Sequence, residues 1–252
     1  MLKVSHVTKS YKKGGMFSSK KQKVLHNVCF DCQAGECLGI IGESGSGKST
    51  LGRLLLGVEK PDQGNITLNG QIVTNRHVRL GCMSAVFQNY QSSINPFFTV
   101  EDAIMEPLML RSKNKINTRQ KVDQLLHDVG LSLSYKTTYP HELSGGEVQR
   151  VCIARAIATE PEWLILDEAI SSLDMSIQLQ ILELLKGLKK TYKMSYIFIT
   201  HDIQAAAYMC DRVLIFKEGQ VEEIIAIDQL KYVTSPYAKR LLKALITFNV
   251  NR

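Results

Sequence analysis

The chain has 252 residues, 44% of them hydrophobic and 22% charged, which excludes an intrinsically disordered protein. Its apolar runs, such as residues 163–166, are far shorter than the roughly 20 residues of a membrane-spanning helix. The first residues lack the apolar segment of a secretory signal. We therefore expect a packed, soluble protein that works in the cytoplasm.

The net charge of +7 comes entirely from the first 30 residues, which contain seven lysines and no acidic residue. Nucleic-acid-binding proteins usually spread basic residues along a groove or a recognition helix, so no nucleic-acid partner is expected. This segment predicts a positive surface for nucleotide phosphates or anionic lipids, and a solvated loop remains the alternative. The lysines are Lys3, Lys9, Lys12, Lys13, Lys20, Lys21 and Lys23.

The first third of the chain begins with strand-like sequence and continues into a buried strand. Residues 4–8 and 24–33 alternate on either side of a Lys/Gly/Ser segment, which predicts an antiparallel hairpin. Residues 37–41 are continuously apolar, which is typical of a strand buried on both faces. A glycine-rich turn follows, and residues 49–58 predict a helix.

Three later runs, at 164–167, 196–200 and 212–216, resemble that buried strand and alternate with helical segments. This alternation predicts a mainly parallel sheet covered by helices, an α/β fold. Between residues 88 and about 160 the pattern is helical, including 118–130 and 145–158. We expect one domain, with a core of residues 1–87 and 159–252 and an inserted helical subdomain of residues 88–158. Residues 236–248 predict a last amphipathic helix.

The turn after residues 37–41 matches the phosphate-loop pattern of Gly, four residues, Gly-Lys-Ser. Glycines let the backbone curl so that its N–H groups surround the β- and γ-phosphates, at the positive end of the following helix. The lysine supplies a charge to the phosphates, and the serine hydroxyl a ligand for Mg²⁺. The alternative, an ordinary Gly/Ser turn, would require neither the lysine nor the flanking strand and helix. The motif consists of Gly42, Glu43, Ser44, Gly45, Ser46, Gly47, Lys48, Ser49 and Thr50.

Two carboxylates end the apolar run at 164–167. Asp167 is placed to hold a metal-bound water, and Glu168 to act on the attacking water as general base. Such a pair at a strand end is usually a solvated turn. Beside a phosphate loop it predicts the second half of an ATPase site.

The segment Leu143-Ser144-Gly145-Gly146-Glu147 predicts a second anion-binding helix start, with Ser144 as its N-cap. It resembles the signature of the ATP-binding cassette (ABC) ATPases, and the resemblance covers essentially the whole chain. It implies the P-loop NTPase cassette fold with ATP and Mg²⁺ as ligands. It also implies a head-to-tail dimer in which Ser144, Gly145 and Gly146 close over ATP held by the partner's phosphate loop.

Other residues match the family's motifs in order. The resemblance implies that Tyr11 stacks on adenine, and a strand-end tyrosine packed on the sheet is the alternative. It implies that Gln88 contacts Mg²⁺ or the attacking water, that residues 172–174 cross the dimer interface, and that His201 contacts the γ-phosphate. Glu147 departs from the family's usual Gln. Its charge is expected to weaken phosphate binding unless it faces the ribose or Arg150.

Within the family, a single cassette without membrane spans or long heptads resembles an importer subunit. Residues 87–100 and Ser235-Pro236-Tyr237 resemble peptide and nickel importers. Three further stretches, residues 10–15, 149–156 and 166–171, resemble the second ATPase subunit of nickel importers. The implied partners are membrane permease subunits, a paralogous ATPase and, indirectly, an extracellular substrate-binding protein, at the cytoplasmic face of the membrane. Alternatives are a dipeptide or oligopeptide importer and a non-transport regulatory ATPase.

Overall fold

The structure, a computed structural model, describes residues 1–12, 21–89, 93–109, 115–171 and 173–249. The chain divides into two compact units. The first unit comprises Met1–Leu80 and Ser195–Arg252, and the second comprises Gly81–Met194. Among the described residues, no helix combines the length and apolar character that crossing a bilayer requires.

Strands and helices alternate along most of the chain. The strands are β1 (Leu2–Lys12), β2 (Lys21–Cys32), β3 (Cys37–Ile41), β4 (Gln63–Leu68), β5 (Gln71–Ile72), β6 (Met83–Phe87), β7 (Trp163–Asp167), β8 (Ser195–Thr200), β9 (Arg212–Lys217) and β10 (Gln220–Ala226). The α-helices are α1 (Lys48–Leu55), α2 (Arg76–Arg79), α3 (Val100–Met109), α4 (Lys115–Asp128), α5 (Gly145–Ile157), α6 (Met175–Thr191), α7 (Ile203–Met209) and α8 (Pro236–Asn249). Short 3₁₀ helices lie at Leu133–Thr137, Pro140–Glu142 and Ile227–Tyr232.

An antiparallel sheet in the order β2-β1-β4-β5 forms one layer of the first unit. The predicted pairing of β1 with β2 is confirmed, with Leu2 opposite Cys32 and Lys12 opposite Lys21. The residues that join these strands, 13–20, lie outside the described residues and include Lys13 and Lys20. The partners β4 and β5 were not predicted from the sequence.

The second layer of the first unit is built on β3, which pairs in parallel with β8 on one side and β9 on the other. All residues of β3 and β8 are buried, as their continuous apolar sequence predicts. β10 pairs antiparallel with β9 at the outer edge. The helix α1 leaves the carboxyl end of β3, so this end of the strand carries the phosphate-loop motif.

The second unit contains a parallel pair, β6 and β7, together with helices α3 to α6. β7 is buried along its whole length, and Trp163 is 1% exposed. The unit includes all of residues 88–158 and adds β6, β7 and α6. The predicted mainly parallel α/β fold with an antiparallel N-terminal part is confirmed.

Candidate nucleotide site

The carboxyl ends of neighbouring parallel strands bring two predicted site segments to one edge of the first unit. Ile41 of β3 lies opposite Thr200 of β8, so Gly42 and His201 follow the two strands at the same edge. If β3 and β8 were antiparallel, Gly42 and His201 would lie at opposite edges of the sheet. The His201 side chain is exposed at this edge. This is the edge at which α/β sheets bind ligands.

Close backbone contacts set the shape of the phosphate loop. A Cβ atom on Gly42 would stand 2.1 Å from the carbonyl oxygen of Phe216 in β9. Gly45 and Gly47 have φ values of +78° and +104°, in the left-handed region that glycine adopts without strain. The Gly219 N–H donates to the Ser46 carbonyl oxygen at 2.8 Å. The strands β9 and β10 therefore support the loop through their backbone.

Lys48 is the first residue of α1 and is only 4% exposed. Its ammonium donates to the carbonyl oxygens of Gly42 and Glu43, both at 2.8 Å. A buried ammonium group needs such partners, because removing a charge from water is costly. The chain therefore curls around Lys48 and keeps a positive charge within the loop.

The buried hydroxyl of Ser46 favours an anionic ligand in this loop. Its side chain is 7% exposed, and its hydroxyl oxygen has no hydrogen-bond partner among the described residues. A buried hydroxyl without a partner costs about 1–3 kcal/mol, so such a group usually meets a ligand or water. A phosphate oxygen in the loop would accept a hydrogen bond from this hydroxyl. Ser49 is half-buried beside Lys48, and Glu43 and Ser44 are exposed.

The substitution Gly42→Ala is expected to weaken ATP binding strongly, because a methyl group at 2.1 Å from the Phe216 carbonyl oxygen forces the loop away from β9. We expect an affinity loss of about 10-fold or more and a lower melting temperature, since overpacking typically costs about 1–3 kcal/mol. Equilibrium binding of a fluorescent ATP analogue measures the first effect and calorimetry the second. The control is Gly187→Ala, where a Cβ has open space in α6. Equal ATP affinity in both variants would contradict the expectation.

Tyr237 of α8 reaches the phosphate loop, which sequence reasoning missed. Its side chain is 4% exposed, and its hydroxyl oxygen accepts a hydrogen bond from the Glu43 N–H at 3.3 Å. The Lys217 ammonium lies 5.3 Å from the centre of the ring. Burial raises the pKa of Tyr237, so the phenol stays protonated. In the sequence, the only sign of this contact is the motif Ser235-Pro236-Tyr237, which by itself indicates a family resemblance and not a contact with the loop.

Tyr11 near the end of β1 is held by its hydroxyl. That hydroxyl donates to a Glu59 carboxylate oxygen at 2.5 Å and accepts from Arg53 at 3.3 Å. Burial alone would raise the pKa of Glu59, but hydrogen bonds from Tyr11 and Arg53 lower it. Arg53 also donates to the hydroxyl of Thr50, the last residue of the loop motif, at 3.2 Å. The Tyr11 ring is thus tied to α1, which positions it relative to the phosphate loop.

The second unit brings Gln88 and the two carboxylates together. Phe87 of β6 lies opposite Asp167 of β7 in parallel register, so Gln88 and Glu168 follow the two strands at one edge. Asp167 is 7% exposed, whereas the Gln88 side chain is exposed. An amide and two carboxylates at one edge supply oxygen ligands and a base for a reaction with water.

Glu168 has a left-handed backbone with φ of +49°, which is uncommon for a residue other than glycine. Its carbonyl oxygen accepts hydrogen bonds from the Ser171 hydroxyl at 2.9 Å and the Ser171 N–H at 3.2 Å. The next residue, Ser172, lies outside the described residues. Strained residues of this kind concentrate at functional sites and persist only where the surroundings hold them.

The signature segment opens α5 as predicted, with Ser144 as the N-cap and Gly145 and Gly146 as the first helical residues. Glu147 completes a capping box, because its carboxylate accepts from the Ser144 N–H and hydroxyl, both at 2.7 Å. The other carboxylate oxygen accepts from the Tyr135 hydroxyl at 2.5 Å. Hydrogen bonds from Tyr135 and Ser144 hold the pKa of Glu147 below its usual range.

Arg150, considered above as a partner for Glu147, binds elsewhere. Its guanidinium donates to the Val129 carbonyl oxygen at 2.7 Å and to Gln180 at 3.4 Å. The charge of Glu147 is instead balanced by hydroxyl and N–H donors next to it. The carboxylate of Glu147 therefore stabilises the start of α5. The departure from the family's usual Gln did not by itself indicate this role.

The predicted site residues are distributed over both units. The first unit carries Tyr11, the phosphate loop and His201, and the second carries Gln88, Asp167, Glu168 and the signature segment. Of the loop that follows Gln88, residues 90–92 lie outside the described residues.

A phosphate loop after a buried strand, carboxylates after a second strand and a capped Ser-Gly-Gly helix start together define an ATP-binding cassette. The family model for ABC transporters matches residues 25–171. The chain belongs to the ABC transporter family and is an ATPase of the kind that powers such transporters.

Curated relatives cover nearly the whole chain. The metal-staphylopine import system ATP-binding protein CntF of Staphylococcus aureus (strain NCTC 8325 / PS 47) is 48% identical over 98% of this chain and 100% of its own length. The nickel import ATP-binding protein NikE of Escherichia coli O157:H7 is 40% identical over 100% of this chain and 97% of its own. The oligopeptide transport ATP-binding protein OppF of Bacillus subtilis (strain 168) is 40% identical over 88% of this chain and 76% of its own.

Solved structures share the fold. The dimeric ATP-binding cassette MJ0796, in a post-hydrolysis state bound to ADP and Pi, matches with a TM-score of 0.81 and 29% identity, over 90% of this chain and 99% of its own. The protein cbiO1 of Clostridium perfringens, part of the ABC transporter complex cbiONQ, matches with a TM-score of 0.81 and 28% identity, over 92% of this chain and 90% of its own.

Proposed function

We propose that this chain is the ATP-hydrolysing subunit of an importer for nickel or a related metal, carried as the ion or as a complex with a small chelator. The observation that carries the proposal is the similarity to CntF, at 48% identity over 98% of this chain. NikE supports the same class of cargo over nearly its full length. Both relatives are named as ATP-binding proteins of metal import.

The phosphate loop would hold the β- and γ-phosphates of ATP. Lys48 supplies a positive charge, the N–H groups at the start of α1 supply donors, and the Ser46 hydroxyl supplies a further donor. Tyr11, tied to α1 through Arg53, would stack on the adenine ring. The carbonyl oxygens of Gly42 and Glu43 hold Lys48, which fixes the position of its charge within the loop.

The residues Ser49, Gln88 and Asp167 would hold the Mg²⁺ of MgATP, since hydroxyl, amide and carboxylate oxygens suit this ion. Mg²⁺ supplies charge neutralisation of the phosphates. Glu168 would orient the attacking water and accept its proton, and Gln88 would contact the same water. His201, exposed at the carboxyl end of β8, would donate a hydrogen bond to the γ-phosphate.

Two cassettes would act together in the transporter. We propose a head-to-tail pair of this chain with a paralogous ATPase, in which Ser144, Gly145 and Gly146 of each close over ATP bound by the other. The dimeric structure of MJ0796 supports the pairing of two cassettes. Residues 88–158 would act as the helical subdomain that transmits closure to the membrane permease subunits. The protein would then lie peripherally at the cytoplasmic face of the membrane, and an extracellular binding protein would deliver cargo indirectly.

An oligopeptide importer is the second candidate, because OppF is also 40% identical. The match leaves part of OppF uncovered, since it includes 76% of that protein, whereas CntF and NikE are covered almost completely. The higher identity to CntF, 48% against 40% for OppF, favours the metal importers.

The test is whole-cell metal content under metal limitation, in cells that lack this protein and are complemented with the wild type or with Glu168→Gln. We expect nickel or a neighbouring transition metal to fall in the deletion and to be restored by the wild type only. Unchanged metal contents together with lost uptake of labelled peptide would show the second candidate to be correct. ATPase activity stimulated by DNA or RNA, without membrane association, would instead indicate a non-transport ATPase.

A further inference from the structure

The turn that follows β7 is held by side chains from two helices. The carbonyl oxygen of Ala169 accepts a hydrogen bond from the Gln149 side-chain amide of α5 at 2.6 Å. The next carbonyl oxygen, of Ile170, accepts one from the Gln178 amide of α6 at 2.9 Å. The Ser171 hydroxyl donates to the Glu168 carbonyl oxygen, so the three consecutive carbonyl groups of residues 168–170 each accept a hydrogen bond from a side chain. This turn is therefore held from both helices.

Gln149 is the most unusual of these donors, because it is completely buried, at 0% exposure. Its side-chain oxygen has no hydrogen-bond partner among the described residues. A buried amide oxygen without a partner costs free energy, because it has lost its hydrogen bonds to water. An apolar side chain of the same length would avoid that cost but would lose the bond to Ala169, so the two effects on stability offset each other and the bond to the turn remains the specific contribution of the glutamine.

The helix that carries Gln149 also carries the signature segment at its first turn. Ser144 caps this helix, and Gln149 lies about one and a half turns further along. Gly146 lies close against α6, since a Cβ there would stand 2.9 Å from a methyl group of Ile177. Gln178 follows Ile177 directly, so both helices that meet at the signature also hold the turn beyond Glu168.

We propose that Gln149 is a positioning residue for Glu168, through which the signature helix controls the orientation of the general base. The inference rests on the proposed role of Glu168. A left-handed backbone is strained in a residue other than glycine, so the backbone of Glu168 relaxes if the following carbonyl groups are released. The hydrogen bond from Gln149 to Ala169 holds the turn after Glu168. A shift of α5 on contact with the partner's ATP therefore moves the Glu168 carboxylate.

The decisive variant is Gln149→Met, which keeps the length of the side chain and removes both polar atoms. We expect kcat for ATP to fall about 10-fold, as for a misplaced catalytic group, while KM for ATP stays unchanged. The melting temperature should change little, because the loss of the bond to Ala169 is offset by the removal of the unpartnered oxygen. Steady-state ATPase assays of the assembled importer and calorimetry of the chain provide these values.

Gln120→Met is the matched control, because Gln120 is exposed on α4 and donates to no carbonyl of the turn; its kcat should equal that of the wild type. In single-turnover measurements, Gln149→Met should add no further loss to Glu168→Gln, since both changes act on the same carboxylate. An unchanged kcat in Gln149→Met overturns the inference. A lower kcat accompanied by a lower melting temperature and a raised KM also overturns it, because that combination indicates a structural role. Normal turnover in Glu168→Gln alone would instead refute the role of Glu168.

Discussion

Glu168→Gln is expected to leave ATP binding intact and to lower ATP turnover by roughly 100- to 10,000-fold, the range that a general base contributes. Glutamine keeps the size of the side chain and the backbone of the turn, but its amide accepts no proton from water. The carbonyl of residue 168 would keep its hydrogen bonds from Ser171, which involve only the backbone of that residue. Binding and chemistry are therefore separated in this variant.

The measurement is phosphate release by the assembled importer, in which the paired ATPase has been inactivated so that turnover reports this chain. Equilibrium binding of radiolabelled ATP shows whether the site is intact. Glu162→Gln is the control, because Glu162 is an exposed carboxylate just before the other end of β7. Normal steady-state turnover in Glu168→Gln would remove the general base from the proposed mechanism.

Lys48→Ala is expected to weaken ATP binding by about 10- to 100-fold, because hydrogen bonds to charged groups contribute about 1.5–3 kcal/mol each. The loss has two parts. The phosphates lose a positive charge, and the carbonyl oxygens of Gly42 and Glu43 lose the ammonium that they bind at 2.8 Å. We expect the loop to lose its shape as well as its charge.

Titration with a fluorescent ATP analogue provides the affinity, and calorimetry shows whether the chain remains folded. Lys60→Ala removes the same charge from an exposed position and should bind ATP as the wild type does. Lys48→Arg keeps the charge but not the compact ammonium, so partial binding is expected from it. ATP affinity in Lys48→Ala equal to that of Lys60→Ala would contradict the phosphate-loop interpretation.

The elements that could be predicted are those with a strong local pattern. Cys37–Ile41, Trp163–Asp167 and Ser195–Thr200 are short apolar runs, and each is a fully buried strand. The last helix was predicted at 236–248 and is found at Pro236–Asn249. In these segments hydrophobic burial alone selects the structure, so the sequence is sufficient.

Other strands escaped prediction because their pattern is weak. In β6 only Val86 is buried, and this strand is recognised by its parallel pairing with β7. In β4, Gly64 interrupts the pattern, with φ of +77° and a Cβ position 2.3 Å from the His6 carbonyl oxygen. Such strands form because a partner is available, and pairing between distant segments leaves little trace in local sequence.

The sequence by itself determined the order of the motifs, the family, and the strand ends at which the predicted nucleotide-binding residues lie. These features depend on local burial and on glycines and charged residues at fixed spacing. Only the tertiary structure decided which side chains support those motifs. Tyr237 on the phosphate loop and Gln149 on the turn after Glu168 reach their partners across 194 and 20 residues of chain. Glu147 binds Ser144 and Tyr135 because α5 and the preceding 3₁₀ helices place them together. Hydrogen bonds of this kind depend on distances in space, which the sequence does not contain.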